Sequence, residues 1–213
     1  MSLKPVLGAI VALLRNHIQV GTLDAHAVQT ATTELAKHHY KYDADLFPPL
    51  PSNNHWPAPT LAAPQSLAEA LLWKMGKWQI YKSFVAHYSS TSSTPKNTDT
   101  VFYAFAKHLQ NPARPIYDQH ALRALWAIDT KLTPQQAKIC RNLLAKKDGT
   151  WKSIITGSNT SAGYDLYAER IVDLEKGGAS LSALDKLLMP LGQALKGNTV
   201  NVSEFVKLAG CGE

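Results

Sequence analysis

Residues 102–128 read FYAFAKHLQNPARPIYDQHALRALWAI, and this stretch decides the fold class. Its pattern predicts an apolar helix, a turn bounded by Pro112 and Pro115, and a second helix that begins at Asp118. The three segments together indicate a helix–turn–helix unit. Most functional hypotheses for the chain depend on whether Asp118 is a catalytic residue or only a helix cap.

Helix-start signals recur along the rest of the chain. Thr133 begins a capping box, and its helix is predicted to end at Gly149, while Ser180 is a second N-cap. Alternating strand patterns are scarce, and residues 151–155 are the one serious strand candidate. The sequence therefore predicts an all-α protein of about eight to ten helices. Residues 1–213 are expected to form a single α-helical domain, either as one body or as two helical lobes.

A proline-rich segment interrupts the helical pattern at residues 43–66, which contain six of the twelve prolines. Proline fixes φ and removes a backbone donor, so this segment is predicted to be an extended connector. Its aromatic residues, Phe47 and Trp56, favour a connector that is packed against the body over a free linker. Ser66 is then expected to cap the next helix.

The composition, with 45% hydrophobic and 18% charged residues, is typical of a soluble globular protein. The two cysteines, Cys140 and Cys211, are far apart and have no metal-like spacing, which favours a reducing compartment. The amino-terminal apolar run is followed directly by Arg15 and lacks a cleavage pattern, so it is predicted to be a core helix. No segment approaches the roughly 18 apolar residues of a membrane span. The protein is therefore expected to be cytoplasmic, with no membrane partner.

Motifs for cofactors and metals are absent from the sequence. It contains no phosphate-binding loop, no dinucleotide fingerprint and no Cys/His zinc spacing. No cofactor and no metal site is therefore expected, and the sequence does not specify an oligomeric state.

The formal charge of +6 is concentrated in two segments. Residues 74–123 carry seven Lys or Arg against two Asp, and residues 131–152 carry six against one Asp, so each segment contributes +5. The remainder of the chain is therefore acidic. Two basic segments suit a polyanion such as double-stranded DNA, although solvated lysines on helix surfaces would give the same pattern.

Aromatic and cationic residues alternate from Trp73 to Trp78. Such a surface can stack on nucleic-acid bases, at ~1–3 kcal/mol for each base. Tryptophans five residues apart on a helix are also typical of core packing, and the sequence favours packing here.

Asp118 has two interpretations. A carboxylate at a helix start accepts backbone N–H hydrogen bonds and complements the helix dipole, which is worth about 1 kcal/mol. A carboxylate beside a turn held by Pro112 and Pro115 could also deprotonate a nucleophile or stabilise a developing cation. Spacing alone leaves both interpretations open.

The segment from Pro115 to His120, PIYDQH, continuing to Arg123, resembles the region around the catalytic aspartate of helix-hairpin-helix DNA glycosylases. The resemblance covers about thirty residues and implies the fold of that superfamily. It further implies that Asp118 activates water, or assists a nucleophilic lysine, at the N-glycosidic carbon of an extruded base. The DNA-binding candidates are Lys96, Lys107, His120, Arg123, Trp73 and Trp78.

The chain departs from this family at three points, and the first is one extra residue between Pro115 and Asp118. The family's glycine-rich turn, whose amides hold a DNA phosphate, should lie just before Val101, where residues 92–100 read SSTPKNTDT without a glycine. The nucleophilic lysine of the bifunctional enzymes should lie at Asp99 or Thr100. The resemblance therefore implies a monofunctional glycosylase for DNA repair, or a DNA-binding relative without catalysis. The alternative from another class is a non-enzymatic helical protein that binds another protein, with Asp118 as a cap only.

Overall fold

The computed structural model describes residues 3–42, 67–90, 94–153 and 160–211, which form ten helices. The helices are α1 (Lys4–Val20), α2 (Ala25–Lys37), α3 (Leu67–Lys74), α4 (Trp78–Ser89), α5 (Thr100–Gln110), α6 (Gln119–Ile128), α7 (Pro134–Leu144), α8 (Thr160–Glu175), α9 (Leu181–Asn198) and α10 (Val202–Ala209). Extended pairing in these ranges is limited to two isolated bridges. The all-α prediction is confirmed for the described residues.

Helix α6 lies at the centre of the fold. Every residue from Ala121 to Ile128 is buried, including Arg123, because the helix is apolar on nearly all sides. It packs against α1, α7, α8, α9 and α10, and one cluster of buried hydrophobic side chains joins these helices to α2 and α5. The second helix of the stretch at residues 102–128 is therefore the core element of the protein.

Helices α6 and α9 approach each other closely at Gly192. A Cβ atom at this position would lie 1.9 Å from the carbonyl oxygen of His120, so only glycine permits the contact. Pro190, two residues earlier in α9, is buried within the same helix and lacks a backbone N–H. The backbones of the two helices thus meet at the first turn of α6.

Helices α4 and α5 pack against each other as a hairpin, and α5 also contacts α8. Asp99 occupies the N-cap position of α5 without capping it through its side chain. Its carboxylate instead accepts hydrogen bonds from the Lys96 N–H (2.7 Å) and from Ser83 Oγ (2.7 Å), and lies 3.0 Å from His87 Nε2. Asp99 therefore ties the end of the loop between the two helices to α4.

Two of the predicted helix caps, at Thr133 and Ser180, are confirmed. Thr133 forms the predicted capping box with Gln136, and the Ser180 side chain accepts a hydrogen bond from the Ala183 N–H. The predicted end of the helix at Gly149 is wrong, because α7 ends at Leu144.

The chain leaves α7 early because of pairing farther along the sequence. Ala145 forms an antiparallel bridge with Trp151, and the Lys152 N–H donates to the Leu144 carbonyl at 2.8 Å. Gly149 lies in the turn between them, with φ at +81°. Of the strand predicted at 151–155, the described part forms only this bridge, and residues 154 and 155 lie outside the described residues.

Two further predictions concern residues that the structure does not describe: the connector at 43–66 and the cap at Ser66. Among the helices that are described, none is both long enough and apolar enough to cross a membrane.

The α6–α9 contact can be tested with Gly192→Ala. The added methyl would meet a backbone carbonyl that cannot turn aside, so we expect the free energy of unfolding to fall by about 3 kcal/mol in urea denaturation. Gly8→Ala is the matched control, since it lies inside α1 with no atom within 4 Å of a new Cβ. That variant should be as stable as the natural chain or gain about 0.5–1 kcal/mol. Equal effects of the two substitutions would contradict the close contact.

Candidate functional site

Asp118 is the N-cap residue of α6. One carboxylate oxygen, Oδ1, accepts hydrogen bonds from the N–H groups of His120 (2.7 Å) and Ala121 (2.8 Å). The second oxygen, Oδ2, has no hydrogen-bond partner among the residues that the structure describes, and the side chain is only partly buried. The cap therefore occupies one oxygen and leaves the other available for a ligand.

The turn before Asp118 is held by a carboxyl group from α9. The buried carboxyl group of Asp185 faces the backbone N–H of Ile116, which interacts favourably with its charged form. Burial raises the pKa of Asp185 to about 7, and the Ile116 hydrogen bond opposes the rise. A carboxyl group with this pKa can gain or lose a proton near neutral pH, which is a property of general acids and bases.

Unpartnered polar atoms concentrate around this turn. Nine buried side-chain atoms lack a hydrogen-bond partner within the described ranges. Six of the nine are Tyr117 Oη, Gln119 Oε1, Arg123 Nε, Arg123 Nη2, Tyr167 Oη and Asp185 Oδ1. Each buried polar group that stays without a partner costs about 1–3 kcal/mol.

Tyrosine side chains from the turn and from α8 pack against one another next to Asp118. The ring of Tyr117 lies 5.5 Å from those of Tyr164 and Tyr167, between centroids. Burial raises the pKa of Tyr117 and that of Tyr167, and the charge of Asp118 contributes to both shifts. The two phenols therefore remain neutral, and Asp118 lies within electrostatic reach of them.

His120 and Arg123 follow Asp118 by two and five positions on α6. Nη1 of Arg123 lies 3.4 Å from His120 Nδ1 and 3.4 Å from the Gly192 carbonyl oxygen. Burial lowers the pKa of His120, while the charge of Asp118 opposes this effect. These two predicted residues therefore do lie beside Asp118, where the backbone of α9 meets α6.

Arg123 is fully buried, and the centre of its guanidinium lies 4.5 Å from the centroid of the Trp151 ring. Burial lowers its pKa to about 10, and Asp118 opposes the fall. Arg123 therefore stays positively charged at neutral pH, although its side chain is buried in the protein. It cannot reach a DNA phosphate in this conformation.

The remaining predicted site residues lie on α3, on α5 and in the loop that precedes α5. Nζ of Lys107 is buried and donates to the carbonyl oxygens of His87 and Ser90 and to Gln110 Oε1, so it closes the carboxyl end of α4. Lys96 is exposed. Trp73 is also exposed, whereas Trp78 is buried and stacks on Tyr81 at 5.4 Å. The structure thus does not bring these four residues together around Asp118.

Asp185 and Tyr167 were not among the predicted site residues. The sequence does carry a signal for Asp185, because it falls between Leu181 and Leu188 at helical spacing, on the apolar side of α9. A carboxylate on a buried face needs a partner, and that partner is the backbone of Ile116. No comparable signal marks Tyr167.

Metal binding has no support in the described part of the chain, where His, Cys, Asp and Glu side chains form no cluster that could hold an ion. No protein-family model matches the chain, and neither a curated protein nor a solved structure is significantly similar to it.

The raised pKa of Asp185 predicts a pH dependence of stability. An unfolded aspartate has a pKa of about 3.9, so between about pH 4 and 7 the folded chain binds the proton more tightly than the unfolded chain does. The stabilisation that the protonated group gives is complete below about pH 4 and is lost as the pH rises through about 7.

Asp185→Asn removes this titration and keeps an oxygen for the Ile116 N–H. We expect the stability of the variant, relative to the natural chain, to rise by about 2–3 kcal/mol between pH 5 and pH 8. Urea denaturation of both proteins at each pH measures the difference, and the other titrating groups cancel because both chains carry them. A difference that does not change with pH would show that Asp185 does not titrate in this range.

Proposed function

We propose that the protein binds DNA and removes a base by hydrolysis of the N-glycosidic bond, with Asp118 as the catalytic carboxylate. The observation that carries this proposal is that the two carboxylate oxygens of Asp118 have different environments. Oδ1 caps α6, and Oδ2 has no hydrogen-bond partner among the described residues. The packed α4–α5 hairpin that precedes Asp118 supports it, because the glycosylases that the segment resembles have this order of elements. The basic charge of residues 74–123 suits the same substrate.

In this reaction water attacks the sugar carbon that carries the base, and Asp118 Oδ2 accepts the proton of the attacking water. The electron pair of the N-glycosidic bond leaves with the base, which then takes a proton. The negative charge of Asp118 also stabilises the positive charge that develops on the sugar as the bond breaks.

The mechanism is monofunctional, without a lysine nucleophile. Of the two nearest lysines that precede Asp118, Lys107 uses its Nζ in three hydrogen bonds within the protein. Lys96 is exposed in the loop between α4 and α5 and is the better candidate for a phosphate contact. The exposed Lys74 and Lys77, near the junction of α3 and α4, extend the same basic segment.

Asp118→Asn separates the two roles of this residue. Asparagine caps helices as well as aspartate does, so the melting temperature should change little. Loss of the negative charge should abolish base release from duplexes that contain uracil, hypoxanthine, 8-oxoguanine or alkylated purines. Release is measured as strand cleavage after alkaline treatment of the abasic product.

Asp118→Ala is the matched control, because it removes both the cap and the charge. It should lose about 1 kcal/mol of stability in addition to activity. If the natural chain releases no base from any duplex in the panel, the catalytic part of the proposal is wrong.

DNA binding has its own test in the salt dependence of affinity. Each phosphate that a lysine neutralises contributes about 0.9 to the slope of log K against log salt concentration. We expect Lys96→Gln to lower the slope by about this amount, measured by fluorescence anisotropy with a labelled duplex. Lys207→Gln removes the same charge from an exposed position on α10 and should leave the slope unchanged. Equal slopes for all three proteins would exclude Lys96 as a phosphate contact.

A second candidate function is supported by α3, which exposes several large apolar side chains. Leu67, Leu71 and Trp73 are 89%, 58% and 60% exposed, and Met75 follows them. Exposed apolar surface of this kind is typical of sites that bind another protein. Absence of DNA binding at low salt would favour this non-enzymatic function, in which Asp118 serves as a cap only.

A further inference from the structure

A cavity of about 170 Å³ lies at the carboxyl end of α6, the opposite end from Asp118. Its apolar wall is formed by Leu132, Pro134, Ala137 and the Trp126 side chain. An apolar cavity of about 150 Å³ is large enough to bind benzene. The space therefore accommodates one aromatic ring with a small substituent.

The polar lining of the cavity offers hydrogen-bond donors. Arg15 reaches it from α1, and its Nη1 donates to the Ala127 carbonyl oxygen at 3.0 Å. Within the described ranges Arg15 forms no ion pair, so its remaining N–H groups have no anionic acceptor there. Nε1 of Trp126 and Oγ1 of Thr130 are buried and also lack a partner in the described part of the chain. These two atoms have almost no accessible surface, so Arg15 is the donor that a ligand in the cavity can contact.

The one carboxylate in the lining, Asp129, is already engaged. Its Oδ2 accepts from Arg170 Nε at 2.7 Å, and its Oδ1 accepts from the Lys131 N–H at 2.9 Å and from Arg170 Nη2 at 3.3 Å. Arg170 therefore balances the charge of Asp129. The charge of Arg15 is the one that a ligand would balance.

We propose that this cavity binds a small aromatic carboxylic acid. The ring packs on Trp126, Leu132 and Pro134, and the carboxylate accepts hydrogen bonds from Arg15. A guanidinium group can bind both oxygens of a carboxylate, which gives a charged pair with defined geometry. This site is independent of Asp118 and of the proposed DNA chemistry.

The experiment uses the full chain labelled with ¹⁵N at its five tryptophans, with benzoate as the probe. Benzoate has nine non-hydrogen atoms, for which a Kd on the order of 1 mM is expected. Titration should shift the indole N–H signal of Trp126 and leave that of the exposed Trp73 unchanged. The signals are assigned from variants in which one tryptophan is replaced by phenylalanine.

Two matched controls are used. One tests whether the ligand's carboxylate contributes to binding, and the other tests whether Arg15 contributes more than any other positive charge. Benzamide has the same shape without the negative charge and should bind at least tenfold more weakly than benzoate. Arg15→Gln should weaken benzoate binding at least tenfold, whereas Lys138→Gln, an exposed position on α7, should not change it.

Two outcomes would overturn the proposal. The first is an unchanged Trp126 signal at benzoate concentrations well above 1 mM, which would mean that the cavity takes no such ligand. The second is equal affinity for benzoate and benzamide, or equal affinity of the natural chain and Arg15→Gln for benzoate. Either result would mean that the carboxylate does not bind Arg15. If Arg15→Gln fails to fold, the affinities of the natural chain for benzoate and benzamide still show whether the carboxylate contributes to binding.

Discussion

The fold depends on the contact between α9 and the first turn of α6. At Gly192 no side chain separates the two helices, so a backbone carbonyl of α6 comes to lie where a Cβ atom would otherwise be. This approach covers part of the amino end of α6, where Asp118, Gln119 and His120 are half-buried. The rest of α6 then lies inside the molecule and is apolar on nearly all sides. Helix α9 also contacts the turn that carries Asp118, because Asp185 on α9 interacts with the backbone of Ile116.

The same contact explains the position of Arg123. A charged side chain on a helix that is buried on all sides has no route to water, and its desolvation is costly. The guanidinium is partly compensated by the Gly192 carbonyl oxygen and by the face of Trp151, where a desolvated cation–π contact is worth about 2 kcal/mol. Arg123 therefore links the amino end of α6 to the turn after α7, and its charge acts on Asp118 through the protein interior.

The sequence predicted those features that depend on a few neighbouring residues. The capping box at Thr133 and the caps at Asp118 and Ser180 involve side chains and N–H groups within three positions, so the local pattern was sufficient. The end of α7 was wrong because it is set by pairing with Trp151, seven residues beyond the last helical residue. Lys107 and Arg123 are DNA-binding candidates in the sequence because they lie in a basic segment that resembles the glycosylases. Their burial depends on carbonyl groups and a ring supplied by distant segments, which a local pattern cannot show.

The two interpretations of Asp118 are compatible in this geometry. A cap needs one acceptor oxygen, and serine, threonine or asparagine would supply it without a charge. The charge of Asp118 is therefore not required for the cap, although the helix dipole stabilises it. That charge lies among neutral phenols and unpartnered polar atoms, where the effective dielectric constant is lower than in water and electrostatic interactions are stronger. A negative charge in such an environment interacts strongly with any positive charge that develops nearby. The cap fixes the position of the carboxylate, and in the proposed reaction the second oxygen would accept the proton of the attacking water.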